Sequence, residues 1–417
     1  MKLFQSLKVN IPADLSTVLT VAHDTEASPQ AAGLPASAVR EIWQAVEGMY
    51  RSRAYPALTF CLRRSGQVVL NRALGHARGN GPQEPANAEK ILALPQTPIC
   101  LFSASKAVTA ILVHLLAEDG GVDLDQTVAH YLPAFAACGK GETTLSEVLS
   151  HRGGFPSLNL PKSELKPELL LDWDRVIKAI CEAPPTPGRE RRMAYHAITG
   201  GFILAEVIQR VTGQTVRRYL DQRLRQPLGM KYFDYGLPPA QRGEVALNYE
   251  AGTRVRYPIT TLVEQALMAP FGEVVDVSNS ALFMDAVIPA GNLYATAEEL
   301  SRFYQMLLDG GSYNGRQVMR HQTVERAVRP VGGIAFDHTL KIPMRYSEGM
   351  MLGASPFGIY GPATERAYGH LGFMNILGWA DPERDISVGL LVTGKALLGS
   401  HVLSLMKLVN AISRNCR

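Results

Sequence analysis

The chain has 417 residues, of which 46% are hydrophobic and 19% are charged. This length exceeds the size at which one hydrophobic core usually stops growing, so we expect two lobes or one domain with a large insertion. The formal net charge of +4 is small, and no run of Lys and Arg is interleaved with aromatic residues. Composition therefore favours an ordinary globular protein and argues against nucleic-acid binding.

The cysteines and the N-terminus bear on the cellular compartment. The five cysteines are an odd number, widely spaced and without a C-x-x-C pair, which argues against a disulfide framework or a structural zinc site. Pro12 and neighbouring polar residues interrupt the N-terminus before a signal-peptide core could form. No window approaches the roughly 18 consecutive apolar residues that a membrane-spanning helix needs. We expect a cytoplasmic protein without a membrane span.

The first third of the chain predicts an arm, a hairpin and a helix. Residues 1–35 mix Pro, Ala, Ser and Gly without a sustained period, which is typical of an irregular N-terminal arm. Two β-prone runs, 58–62 and 68–70, flank Ser65-Gly66 and predict a hairpin. Apolar residues at helical spacing then predict a helix over 103–118 that ends at a glycine pair.

The rest of the chain is predicted to be helical first and to end in strands. Helical periodicity covers three central segments, 145–150, 174–181 and 198–211. A capping-box pattern at 296–299 opens a helix that runs to 308. Two runs, 374–380 and 386–392, then flank Asp381-Pro382-Glu383-Arg384 as a second hairpin, and 402–412 predicts a last amphipathic helix. Strands at both ends with helices between them predict an α+β fold with a mainly helical insertion.

Ser103 and Lys106 form an S-x-x-K motif at the start of the predicted helix. Side chains three residues apart on a helix are neighbours, so the Lys106 amine can reach the Ser103 hydroxyl. A lysine with an ordinary pKa is a poor base at neutral pH, so this chemistry requires burial or a nearby cation to lower that pKa. Unpaired N–H groups at a helix start can also stabilise a developing oxyanion.

The same spacing occurs twice more, at Ser163 to Lys166 and at Ser404 to Lys407. Ser163 lies between two prolines in a polar loop, and Lys407 is predicted to face solvent on the last helix. Only Ser103 follows an apolar, strand-like run and opens a helix. Context therefore selects Ser103 as the candidate nucleophile.

Several motifs in serial order resemble one family: the class C β-lactamases, the penicillin-binding D-Ala-D-Ala peptidases and the family VIII carboxylesterases. The likeness extends over nearly the whole chain. The matching segments are Thr97 to Lys106, Leu149-Ser150-His151-Arg152-Gly153-Gly154-Phe155, Tyr195-His196-Ala197, Gln226-Pro227-Leu228-Gly229-Met230 and His370-Leu371-Gly372. The resemblance implies a β-lactamase/transpeptidase-like fold, in which helices flank an antiparallel sheet beside a large helical lobe.

The resemblance also implies roles for single residues. It makes Ser103 the nucleophile, Lys106 its partner, and Tyr195 the phenol that shuttles protons between nucleophile and leaving group. The oxyanion hole would be the backbone N–H groups of Ser103 and Phe373, the latter on the edge strand that follows Gly372. Gly372 would let substrate approach the backbone closely. His370 stands where the family carries the lysine of K-T-G and would contact substrate. Independently of the resemblance, we expect His151 and His196 to be structural and leave both out of the catalytic set.

Two departures from the family pattern shape the functional expectation. Ala197 replaces an asparagine that helps β-lactamases bind the lactam side-chain amide, and His370 replaces a lysine that assists carboxylate recognition. Both favour the esterase branch, because a neutral third motif suits uncharged esters. We expect a carboxylesterase acting on short-chain or small aromatic esters, with weak lactam hydrolysis as a possible side activity.

Three alternatives remain open at this point. The chain could be a β-lactamase or cell-wall peptidase, an acyltransferase that uses an alcohol in place of water, or a binding protein that has lost turnover on the same fold. No ligand spacing suggests a metal, and no P-loop or Rossmann fingerprint suggests a cofactor. The partner is therefore expected to be a small ester or lactam, and the sequence leaves the oligomeric state open.

The predicted domains follow from these elements and from the resemblance. Residues 1–35 form the arm, 36–112 and 285–417 form an α/β domain with the antiparallel sheet, and 113–284 form the mainly helical lobe. The active site is expected at the interface between the domain and the lobe.

Overall fold

The computed structural model describes residues 6–158, 160–161, 164–186, 192–254, 260, 264 and 269–417. Helices occur along the whole chain, with most of them between the two groups of long strands. They are α1 (Ala36–Tyr50), α2 (Ser105–Glu118), α3 (Val128–Tyr131), α4 (Leu145–Leu149), α5 (Trp173–Glu182), α6 (Thr199–Thr212), α7 (Val216–Leu220), α8 (Phe271–Val277), α9 (Ala281–Asp285), α10 (Ala297–Leu308), α11 (His321–Val328) and α12 (Ser400–Asn415).

The principal strands lie near the two ends of the chain. They are β1 (Leu19–Val21), β2 (Ala57–Arg64), β3 (Gln67–Arg78), β4 (Ile91–Leu92), β5 (Ile99–Cys100), β6 (Asp234–Tyr235), β7 (Leu293–Ala295), β8 (Met351–Leu352), β9 (Tyr368–Gly372), β10 (Ile376–Asp381) and β11 (Ile386–Val392). Shorter two-residue strands pair as Ser6–Leu7 with Gly252–Thr253, Tyr249–Glu250 with Gly394–Lys395, Ser312–Tyr313 with Arg316–Gln317, Ala335–Phe336 with Pro343–Met344, and Phe357–Gly358 with Gly361–Pro362.

One antiparallel sheet organises the molecule. Its strand order is β8-β9-β10-β11-β2-β3-β1, with β4 paired to β3 outside this path. A smaller sheet has the order β5-β7-β6 and carries the segment that leads into the candidate nucleophile. The large sheet joins strands from both ends of the chain through the β11–β2 pairing. The predicted α+β fold is therefore confirmed.

Both predicted hairpins are present. Ser65 and Gly66 connect β2 to β3 and have positive φ angles of 50° and 74°, the backbone that a tight two-residue hairpin turn requires. The second hairpin is formed by β10 and β11. The prediction that its first strand starts at 374 is wrong by two residues, because Met374 and Asn375 have positive φ angles and form the turn after β9.

The helix starts follow their capping chemistry. The Thr296 hydroxyl accepts a hydrogen bond from the Glu299 amide at 3.0 Å, and the Glu299 carboxylate accepts one from the Thr296 amide at 2.9 Å, so α10 opens with the predicted capping box. The predicted start of α2 at Ser103 is wrong by two residues. Residues Phe102–Ala104 form a 3₁₀ turn, and the α-helix begins at Ser105.

Part of the predicted arm joins the sheet. Residues 19–21 form β1 and pair with β3. The division of the chain at residues 36, 113 and 285 stays a prediction. All five cysteines are free thiols, with Cys138 exposed. Within the described ranges, no helix combines the length and the apolar character needed to cross a membrane.

Candidate active site

Ser103 and Lys106 lie together at the start of α2. Ser103 is half-buried in the 3₁₀ turn between β5 and α2, whereas Lys106 is 7% exposed. The Lys106 Nζ atom lies 3.2 Å from Ser103 Oγ and donates a second hydrogen bond to the Ala290 carbonyl at 2.9 Å. Burial lowers the pKa of Lys106 from its ordinary 10.5 to about 7. The uncharged amine that a general base requires is thus populated near neutral pH.

The Ala290 carbonyl is held in place by two helices. The Thr109 hydroxyl of α2 donates to the adjacent Pro289 carbonyl at 2.6 Å. On α6, a Cβ at Gly201 would lie 2.7 Å from both the Cβ and the amide nitrogen of Ala290. Only glycine at 201 lets this loop approach closely enough to meet Lys106. Sequence reasoning missed this support, because a backbone carbonyl carries no residue-type signal.

Tyr195 completes the cluster of the three predicted catalytic residues. Its ring centroid lies 4.8 Å from Lys106 Nζ, and its side chain is buried. Burial raises the pKa of the Tyr195 phenol, and a hydrogen-bonding interaction with Ser103 offsets part of that rise. Tyr195 is therefore protonated at neutral pH and can supply a proton, which leaves Lys106 as the group able to accept one.

Asp337 anchors Tyr195 and was not found from the sequence. This buried carboxylate accepts a hydrogen bond from the Tyr195 amide at 3.1 Å and from the Tyr346 hydroxyl at 3.0 Å. It also accepts the amides of Thr339 and Leu340, both at 2.8 Å. The local sequence Asp337-His338-Thr339 predicts only an Asx-type turn. The contact with Tyr195, 142 residues away along the chain, has no signature in the sequence.

Three buried histidines surround the pair of Lys106 and Tyr195. The His151 ring lies 4.7 Å from the Tyr195 ring, and its Nδ1 accepts the His196 amide at 3.1 Å. The His370 ring lies 6.2 Å from the Tyr195 ring. Burial, with Lys106 nearby, lowers the pKa of His370 to about 3, and burial lowers that of His196 to about 3 as well. All three histidines, His151 included, have pKa values below the ordinary range, so this side of the site is uncharged.

The proposed oxyanion residues lie beside the nucleophile. Because β8 pairs only with Tyr368 and Gly369 of β9, residues 370–372 lie on an edge of the sheet. Phe373 lies in the turn after β9, so the expectation that it sits on the strand is wrong. A Cβ at Gly372 would lie 2.3 Å from the Leu101 carbonyl. Glycine at 372 is therefore needed for the close contact between β9 and the segment that leads into Ser103.

A cavity of about 200 Å³ opens at Ser103. Its mouth carries the exposed side chains of Lys166 and Glu273, and its walls are almost entirely apolar. The wall residues are Phe102, Leu158, Leu165, Pro167, Leu169, Leu170, Ala197, Ile198, Ala269, Val274, Val277, Phe283, Ile288, Ala290, Gly291 and Phe373. Such a cavity can hold an apolar substituent attached to a carbonyl at Ser103.

The S-x-x-K spacing at Ser404 to Lys407 lacks this setting. Ser163 lies outside the described residues. Lys407 is exposed on α12, as predicted for a solvated helix face. Ser105 has a structural role, because its hydroxyl donates to the Phe102 carbonyl at 2.5 Å and accepts the Leu293 amide at 3.0 Å.

Similarities to known proteins bear on the family of the chain. A family model described as Beta-lactamase matches residues 36–405. Among curated proteins, the chain is similar to the Esterase/beta-lactamase LipL of Mycobacterium tuberculosis, with 30% identity over 305 residues that cover 70% of this chain and 68% of that protein.

Solved structures repeat the fold. A penicillin-binding protein homologue from Caulobacter crescentus superposes with a TM-score of 0.75 at 25% identity, covering 92% of this chain and 98% of that chain. A family VIII carboxylesterase superposes with a TM-score of 0.76 at 24% identity, covering 92% and 99%. At 24% identity, the likeness to the carboxylesterase bears on the fold alone.

Proposed function

The chain belongs to the beta-lactamase family and is a serine hydrolase of that superfamily, and we propose that it cleaves uncharged carboxylic esters through a covalent acyl-enzyme on Ser103. The observation that carries the ester assignment is the lack of a cation at His370, the position where the family carries a lysine. Buried His370 is neutral at physiological pH, and the cavity walls beyond Ser103 are apolar. A carboxylated lactam would lose its hydration there without gaining a cationic partner from His370.

Each proton transfer in the proposed mechanism has a donor and an acceptor. Uncharged Lys106 accepts the Ser103 proton as the serine oxygen attacks the ester carbonyl. The Tyr195 phenol gives its proton to the departing alkoxide and regains one from the Lys106 ammonium. Water then attacks the carbonyl of the acyl-enzyme and gives a proton to the relay of Lys106 and Tyr195. The same relay returns a proton to the Ser103 oxygen as the acid product departs. The N–H groups of Ser103 and Phe373 would stabilise both tetrahedral intermediates.

The cavity is assigned to the acyl group of the ester. The acyl group must stay on Ser103 while the alcohol departs and water enters, so a recess that opens at Ser103 suits the part that stays. Its apolar lining favours medium-length aliphatic or aromatic acyl groups over acetate, because each buried CH₂ contributes about 0.8 kcal/mol.

The test compares substrates on one preparation. We expect turnover of p-nitrophenyl esters, with kcat/KM rising from acetate toward hexanoate, and hydrolysis of a chromogenic cephalosporin at least about a hundredfold slower. Ser103→Ala should abolish both activities, with Ser404→Ala, the serine of the same spacing on α12, as the control. A cephalosporin rate that exceeds the ester rates would assign the chain to the β-lactamases instead.

Active-site labelling distinguishes the enzyme from a binding protein that lacks turnover. A fluorophosphonate probe should form an adduct on Ser103, located by mass spectrometry of the digested protein. Product analysis in the presence of a primary alcohol separates hydrolysis from acyl transfer. A transesterified product that exceeds the free acid would overturn the assignment to hydrolysis.

A further inference from the structure

A second buried lysine lies behind the nucleophile segment. Lys395 is 0% exposed and follows the central strand β11. The two-residue strand Gly394–Lys395 pairs in parallel with Tyr249–Glu250, and a Cβ at Gly394 would lie 1.7 Å from the Ala54 carbonyl. The backbone of this lysine is thus fixed by close packing at the end of the main sheet.

The contacts of Lys395 are unusual for a lysine. Its Nζ donates to the Val392 carbonyl at 2.8 Å and lies 4.7 Å from the centroid of the Phe102 ring. Across the described ranges it forms no ion pair with a carboxylate, and burial lowers its pKa to about 7. A buried amine without an acidic partner is unfavourable for stability. Its retention next to Phe102 calls for a reason.

Phe102 links Lys395 to both proposed oxyanion residues. It directly precedes Ser103 and has a φ of 47°, an unfavourable left-handed backbone for a bulky residue. Its ring packs on the Phe373 ring with centroids 5.2 Å apart. A shift of the Phe102 ring would therefore move the backbone at Ser103, the contact with Phe373, or both.

We propose that Lys395 is a positioning residue that holds the Phe102 ring and thereby keeps Ser103 and Phe373 in their reactive arrangement. The Phe102 ring face attracts the ammonium form of Lys395, and this attraction is strongest when both groups are removed from water, as they are here. Lys395 is not among the residues that line the cavity, and it acts through the wall residue Phe102. This inference rests on the proposed function, because it assumes that Ser103 is the nucleophile.

The chain offers a matched control in Lys140. This lysine is 1% exposed, donates to the Cys181 carbonyl at 2.7 Å and lies 5.3 Å from the Phe135 ring centroid. It shares burial, carbonyl contacts and an aromatic neighbour with Lys395. Its ring partner Phe135 packs on Phe155 and is not among the residues that line the cavity at Ser103.

The experiment measures the second-order rate of fluorophosphonate labelling of Ser103, with kcat and KM for a p-nitrophenyl ester. We expect Lys395→Met to lower the labelling rate and kcat about tenfold while KM stays within about twofold. Lys140→Met should lower thermal stability without changing either rate. Equal rates for Lys395→Met and the unaltered protein would overturn the inference.

A double-mutant cycle tests whether the effect passes through the ring. In a Phe102→Leu background, Lys395→Met should cause no further loss of labelling rate, and an additive loss would overturn the inference. If Lys395→Met does not fold, Lys395→Gln keeps an N–H donor for the Val392 carbonyl and should show the same tenfold loss, whereas an unchanged rate overturns the inference. If the unaltered protein forms no adduct on Ser103, the proposed function itself fails.

Discussion

At the residue scale, the charge on Lys106 decides when Ser103 can react in the proposed mechanism. The amine must be uncharged to accept the serine proton, and burial brings its pKa down to about 7. A solvated lysine would hold its proton until about pH 10. In this proposed mechanism the apolar surroundings of Lys106, which the sequence motif itself does not reveal, make Ser103 reactive.

This charge state predicts a pH profile. Below about pH 7 Lys106 is protonated and cannot act as a base, so kcat/KM for an ester should fall about tenfold per pH unit on the acidic side. Above that pH the rate should reach a plateau. Lys106→Arg, which stays charged, should be inactive across the whole range. A profile that stays flat from pH 5 to pH 8 would contradict the assignment of Lys106 as the base.

Tyr195 allows a second test at this scale. Tyr195→Phe keeps the ring beside His151 and Lys106 but removes the proton that the leaving alkoxide needs, so kcat should fall by roughly 10²–10³. Tyr346→Phe is the matched control, because it removes a neighbouring phenol that donates to Asp337, the carboxylate that also holds the Tyr195 amide. We expect a loss of less than about fivefold for that variant. Similar losses for both variants would mean that Tyr195 acts only through packing.

At the element scale, helix α8 and the neighbouring loops determine what fits beside Ser103. Val277 lies on the cavity wall at the end of α8. Val277→Trp should fill the recess and reduce kcat/KM for p-nitrophenyl hexanoate at least about tenfold while leaving the acetate nearly unchanged. Val211→Trp on the exposed face of α6 controls for the added indole. An equal change in kcat/KM for both esters would show that the acyl group does not bind in this cavity.

Elements with local signals were predictable from the sequence. The capping box of α10 and the Ser65-Gly66 turn depend on residues close together in the chain, so their chemistry is visible there. The start of α2 was misplaced, because the strained Phe102 backbone follows from packing against Phe373 and Lys395. Asp337 and the Ala290 carbonyl reach the site from distant loops. Pairings of that kind are set by tertiary contacts, for which one sequence carries no pattern.

At the scale of the whole molecule, several uncharged titratable groups lie in one buried cluster at the site. Their burial makes the stability of the fold depend on pH under acidic conditions. His196 and His370 are buried with pKa values near 3. When the chain unfolds, their pKa values return to about 6.5. Between these values the unfolded state binds protons that the folded state does not, so the free energy of unfolding falls as the pH decreases. The proton binding of the buried lysines Lys106 and Lys395 differs between the folded and unfolded states at pH 7 and above. These lysines therefore do not contribute to the slope in this acidic window.

The prediction is a loss of stability on acidification that one substitution reduces. Each such histidine contributes a slope of at most about 1.4 kcal/mol per pH unit below pH 6. His196→Gln keeps an acceptor near the Phe155 amide, now 3.4 Å from His196 Nε2, but cannot titrate. Urea unfolding followed by tryptophan fluorescence at pH 5 and pH 6 should therefore show a slope lower by about 1 kcal/mol per pH unit in this variant. His130→Gln, at an exposed position, is the control for the substitution itself. If His196→Gln keeps the full slope, His196 is protonated in the folded protein, and the uncharged environment proposed for ester substrates would be wrong.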